Sequence, residues 1–110
     1  MKNLLSLGYR DIVAVSEFSK RANVTISGTT IPAINNFSGI LSNDFDCIFI
    51  CNPSSFHAEY LFRAVATGKH VFLEKPVAVC PTDSELLRSI EMAVDRNIVV
   101  AVGHQFRFNP

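Results

Sequence analysis

Three short apolar runs, at residues 46–51 (DCIFIC), 70–73 (HVFL) and 98–102 (IVVAV), alternate with two segments of helical period. In the first helical segment, residues 56–67, Ala58, Leu61, Phe62 and Val65 fall on one face, and Gly68 is placed to stop the helix. The second opens on Thr82-Asp83-Ser84-Glu85, the spacing of a capping box. Leu86, Leu87, Ile90, Ala93 and Val94 should form its buried face, with Asn97 as its terminator. Strand–helix alternation with joints this short predicts an α/β fold, a parallel sheet covered by helices. Right-handed crossovers put the carboxyl ends of such strands on one edge, where ligands of open α/β sheets bind.

The first half is less regular. Residues 1–7 read as the last turns of a helix, with Gly8 as its left-handed stop. Residues 11–15 (DIVAV) read as a buried strand. Residues 22–36 predict a loop with one edge strand near 24–26, and residues 37–41 a short helical turn closed by Ser42 and Asn43. Residues 46–51, the most apolar run, predict a central strand.

At 110 residues the chain amounts to one domain at most, with 48% hydrophobic and 18% charged residues, a balance that suits a buried sheet. Ten basic and ten acidic residues leave a formal net charge of +0. That leaves no electrostatic footprint for nucleic acid or an acidic membrane. No apolar run is long enough to span a bilayer, and Gly8, Tyr9, Arg10 and Asp11 interrupt any signal-like start. A cytoplasmic location is expected. Three cysteines without a C-x-x-C do not make a disulfide framework, and Cys47 and Cys51 read as small core residues. His57, His70 and His104 lack metal-site spacing, so no metal is expected.

Glu17, Asn52, Lys75 and His104 each follow a predicted strand end, which makes them the candidate ligand-binding residues. The stretch 70–76 (HVFLEKP) is the most telling. Pro76 bars Lys75 from the α region, and a cis Lys-Pro bond has only a modest energetic cost. Lys75 thus stands at a strand end, able to polarise a hydroxyl or carbonyl oxygen and assist proton transfer. The competing reading is a surface turn with an exposed Glu74–Lys75 pair. The joint from Cys51 through Asn52, Pro53 and Ser54 to His57 either presents amides to a ribose or phosphate or is an ordinary strand-to-helix turn. His57 taken alone reads as a packing or capping histidine. Glu17 either accepts from ribose hydroxyls or is solvated, and Lys20 and Arg21 either hold a 2′-phosphate or are solvated. His104 and Arg107 either contact substrate or begin a linker.

Taken together, residues 50–60 (ICNPSSFHAEY), 66–78 (ATGKHVFLEKPVA) and 102–110 (VGHQFRFNP) resemble three ordered motifs of the Gfo/Idh/MocA family of NAD(P)-dependent oxidoreductases. The resemblance implies a Rossmann-type sheet and hydride transfer between nicotinamide and a hydroxyl or carbonyl of a sugar- or inositol-like substrate. It puts Glu17 at the adenosine ribose and Asn52, Pro53 and His57 along the cofactor. Glu74 and Lys75 lie by the nicotinamide, with Lys75 in the acid–base system and a cis bond before Pro76. NAD is the expected cofactor, since Glu17 would repel a 2′-phosphate, with NADP as the variant.

The family pattern also contains a first strand, a G-x-G-x-x-G loop and a second, substrate-binding domain, none of which is found in these residues. Residues 1–110 are therefore expected to be an incomplete NAD(P)-binding domain: a partial parallel sheet, inactive alone and prone to aggregate or oligomerise. Isothermal titration of the 110-residue chain showing micromolar NAD(H) binding would contradict this. The alternative is a non-catalytic remnant serving as a binding or assembly module.

Overall fold

The computed structural model describes residues 2–17, 20–40, 45–104 and 107. The chain divides into two compact units, Met1–Asp44 and Phe45–Pro110.

In the first unit, helix α1 (Lys2–Ser6) precedes strands β1 (Ala14–Val15), β2 (Asn23–Ile26) and β3 (Thr29–Ile34), arranged in the order β1-β3-β2. Gly8 adopts a φ of 95°, the left-handed stop that its position after the helix predicts. Strand β1 is parallel to β3, and β2 is antiparallel to it. The irregular loop expected over residues 22–36 is in fact a hairpin. Its two-residue turn, Ser27-Gly28, has positive φ at both positions (50° and 80°), the twist that joins antiparallel strands tightly. Pro32 conceals β3 in the sequence, because proline cannot donate to a ladder. The fold accommodates it opposite Asn23, while the neighbouring Ala33 N–H donates to Ala22 O at 2.9 Å. Leu5, Ala14 and Ile31 form the core of this unit. A 3₁₀ turn, Phe37–Ile40, follows where a short helical turn is expected; Ser42 and Asn43 lie outside the described residues.

The second unit is the predicted alternation. Strand β4 (Cys47–Ile50), helix α2 (His57–Ala66), strand β5 (His70–Glu74), helix α3 (Ser84–Asp95) and strand β6 (Val100–Gly103) follow one another. The sheet order is β4-β5-β6, all parallel. Ile50, Val71 and Leu73 are buried with Ala58, Leu61, Ala64 and Val65 of α2, which packs on β4, β5 and α3. Gly68 (φ 79°) ends α2 and Asn97 (φ 54°) ends α3, both as the sequence predicts.

Four expectations are corrected here. The 46–51 run forms an edge strand of this sheet, and β5 takes the centre. Cys47 and Cys51 are exposed, because a strand alternates faces and Cys47 shares its face with the half-exposed Phe49. The α3 cap is Asp83, whose carboxylate accepts from Glu85 N and Leu86 N at 2.9 and 3.2 Å, one residue beyond the predicted Thr82. Finally, α3 buries Leu86, Ser89 and Ala93 but leaves Leu87, Ile90 and Val94 exposed. The face turned toward α2 is narrower than its apolar pattern. Among the described residues, no helix is long and apolar enough to cross a membrane.

Candidate functional site

Parallel pairing of β4, β5 and β6 carries their carboxyl ends to one edge of the second unit. Asn52, Lys75 and His104 therefore stand there, as strand-end logic predicts, with Glu74 beside Lys75; Glu17, predicted with them, belongs to the first unit. Glu74, the last residue of β5, pairs with Gly103 of β6. The Lys75–Pro76 bond that follows is cis. Lys75 is exposed; its main-chain N–H donates to Glu74 Oε2 at 3.2 Å.

The joint after β4 is built in two steps. Pro53 (φ −58°, ψ 142°) starts a 3₁₀ turn, Ser54–Phe56, and its carbonyl accepts from Phe56 N at 2.9 Å. Helix α2 then begins at His57. Asn52 is half-buried, and its Oδ1 is buried with no hydrogen-bond partner among the described residues. An orphaned acceptor of that kind carries a desolvation cost of about 1–3 kcal/mol unless a donor arrives from elsewhere.

His57 is 1% exposed. Its Nδ1 lies 2.6 Å from Pro76 O and its Nε2 2.9 Å from Asn52 O. One ring thus spans the turn that carries Lys75 and the turn that carries Asn52. The sequence offers a packing histidine at a helix start, but nothing in it shows these two partners, 19 and 5 residues away.

His104 and Arg107 are both exposed beyond β6, and Arg107 N–H donates to His104 O at 3.0 Å. Around this edge, partial burial pushes the Cys51 thiol above its ordinary range, and the Glu74 carboxylate pushes it further. Burial likewise raises Cys47. Cys80, fully open to solvent, is lowered by the Thr82 hydroxyl, 3.2 Å from its sulfur.

Glu17 belongs to the first unit, two residues past β1. Its Oε1 accepts from Phe37 N–H at 3.0 Å, which fixes the carboxylate over the start of the 3₁₀ turn. Lys20 and Arg21 are exposed. Among the described residues, no three His, Cys, Asp or Glu side chains gather as a metal ion would require.

The arrangement offers one orphaned acceptor and one exposed ammonium at the carboxyl edge of a parallel sheet. Comparison with known proteins gives the family and the fold. A family model described as an oxidoreductase family with an NAD-binding Rossmann fold matches residues 6–104. A 4-carboxy-2-hydroxymuconate-6-semialdehyde dehydrogenase from Sphingobium is 28% identical over 97% of this chain and 32% of its own length. An inositol 2-dehydrogenase from Rhizobium meliloti is 30% identical over 90% of this chain and 30% of its own. Among solved structures, a 3-ketoreductase from Actinomadura kijaniata in complex with TDP-benzene and NADP superposes with a TM-score of 0.63. It is 27% identical and covers 73% of this chain and 25% of its own. The chain thus spans about a third of the length of these two relatives, and between 18% and 32% of the curated relatives it resembles.

Proposed function

We propose, for a chain that belongs to the Gfo/Idh/MocA oxidoreductase family with its NAD-binding Rossmann fold, that the β4–β5 edge forms the nicotinamide end of a cofactor site and that Lys75 serves the chemistry there. The observation that carries this reading is the buried, unpaired Oδ1 of Asn52. Ribose hydroxyls and a carboxamide NH₂ are donors of the kind it lacks, so the residues present fit a nicotinamide nucleotide. When bound, that cofactor supplies the hydride acceptor or donor.

The chain's own side chains then divide the remaining work. Lys75 Nζ, exposed at the end of the central strand, hydrogen-bonds the substrate oxygen. It takes up or returns the proton as that oxygen passes between alcohol and carbonyl. Glu74 stands beside it at the strand end, and Pro53 and Pro76 fix φ in the two turns that frame the cofactor. His57 lines the site from beneath through the main chain it holds. The similarity to an inositol 2-dehydrogenase and to a 3-ketoreductase supports a polyol- or sugar-like substrate, with His104 and Arg107 as its contacts.

Glu17, its carboxylate held by Phe37 N–H, accepts from the adenosine ribose and disfavours a 2′-phosphate, so NAD is preferred over NADP. The test is kinetic, in the protein that carries this chain. Lys75→Ala should lower kcat by about 10²- to 10⁴-fold with little change in NAD affinity. Unchanged turnover would remove Lys75 from the reaction, and a higher kcat/KM with NADP would reverse the assignment of Glu17.

A further inference from the structure

Among the described residues of the second unit, His57 and Ser89 are the most deeply buried polar side chains, each being 1% exposed. Ser89 spends its hydroxyl within its own helix, on Glu85 O. His57 instead reaches outward in two directions, and both partners, Asn52 O and Pro76 O, are main-chain carbonyls. Carbonyl oxygens only accept, so the imidazole acts here as a donor: to one carbonyl when neutral, to both when doubly protonated. No ring nitrogen is left for a ligand. The ring joins two turns that are separated in sequence but carry the two chemically open groups of the edge, Asn52 Oδ1 and Lys75 Nζ.

We infer that His57 is a positioning residue, a clamp that holds the Asn52 turn and the Lys75–Pro76 turn in one fixed relation. Both open groups then address a single bound molecule. The inference rests on the reading of Asn52 and Lys75 as cofactor-site residues. Removal of the ring frees both turns, because each carbonyl faces a different ring nitrogen. Nδ1 sets the turn that aims Lys75, and Nε2 sets the turn that aims Asn52. A displacement of about 1 Å at a reacting group lowers rate roughly 100-fold. A lost binding hydrogen bond weakens affinity only about 2- to 10-fold.

Two substitutions separate the halves of the clamp. In His57→Asn the side-chain NH₂ lies near the former Nδ1 and keeps the bond to Pro76 O. In His57→Gln it lies near the former Nε2 and keeps the bond to Asn52 O. In the protein that carries this chain, His57→Gln should lower kcat by roughly 10- to 100-fold while NAD Kd stays within about threefold. His57→Asn should raise NAD Kd by roughly 3- to 10-fold and spare most of kcat. Equal losses of kcat and affinity in both variants, in step with a fall in melting temperature, would show that the ring only fills space and overturn the clamp. So would two silent variants.

A measurement on the unmodified protein needs neither turnover nor a variant. In long-range ¹H–¹⁵N spectra, a His57 ring N–H should exchange far more slowly with solvent than those of exposed His104. Exchange at the same rate would overturn the inference. Lys75→Ala keeps the two readings apart. If it leaves turnover intact the cofactor-site reading fails, whereas the ring N–H still judges the clamp.

Discussion

Replacing Asn52 by alanine should make the cofactor-free protein more stable and the cofactor-bound protein gain less from its ligand. The opposite signs follow from one atom, the buried Oδ1 with no donor. Leaving such a group unpaired costs about 1–3 kcal/mol. Alanine removes it and keeps the main-chain carbonyl that faces His57 Nε2. Packing lost from a half-buried carboxamide offsets part of the gain, at about 0.1–0.2 kcal/mol for each atom pair. A net stabilisation of about 1 kcal/mol remains, or roughly 4 °C for a domain of this size.

With NAD at about 100 times the wild-type Kd, binding adds about 2.7 kcal/mol. Loss of the Asn52 hydrogen bond weakens Kd up to about tenfold, so the same concentration then adds only about 1.4 kcal/mol. Urea unfolding of both proteins, with and without NAD, measures all four quantities. A less stable cofactor-free variant would mean that Oδ1 is satisfied in the free protein. An undiminished NAD increment would mean that the ligand never uses it. Either result refutes the argument.

The Asp83 cap predicts that Asp83→Ala costs about 1 kcal/mol, read as a lower urea midpoint at constant slope, while Thr82→Ala costs much less; the reverse order would restore Thr82 as the cap. The thiols predict a pH order. The lowered Cys80 should alkylate first as pH rises across about 6 to 9, ahead of the raised Cys47 and Cys51, and peptide mass spectrometry that finds Cys51 leading would contradict it. Because folding holds protons on Cys47 and Cys51 after the unfolded chain has released them, their contribution to stability is present below the ordinary thiol range and fades as pH climbs through it.

The sequence by itself determined the order and type of the elements of the second unit. Period-two and period-3.6 patterns are local properties, and β4, α2, β5 and α3 stand where those patterns put them. Gly68 and Asn97 close their helices for the same local reason, since both sit where the chain needs positive φ. The strand-end rule also brought Asn52, Lys75 and His104 to one edge without any knowledge of contacts, because parallel strands end on the same side of their sheet, whereas Glu17, named with them, lies in the first unit.

Only tertiary structure decided the rest, and in each case the cause is a partner distant in sequence. Strand β3 was hidden by Pro32 until the hairpin register placed that residue opposite Asn23, with Ala33 carrying the adjacent bond. The α3 stripe looked wide enough to bury five apolar side chains, yet only the part turned toward α2 is covered. Cys47 read as core because its neighbours are apolar, whereas its side of the strand faces outward. At Lys75, the sequence named the residue, and the family resemblance implied the cis bond after it. It could not show that a histidine 18 positions earlier holds the next carbonyl. Hydrogen bonds across such a distance leave no period in a sequence, and they are what gives this edge its shape.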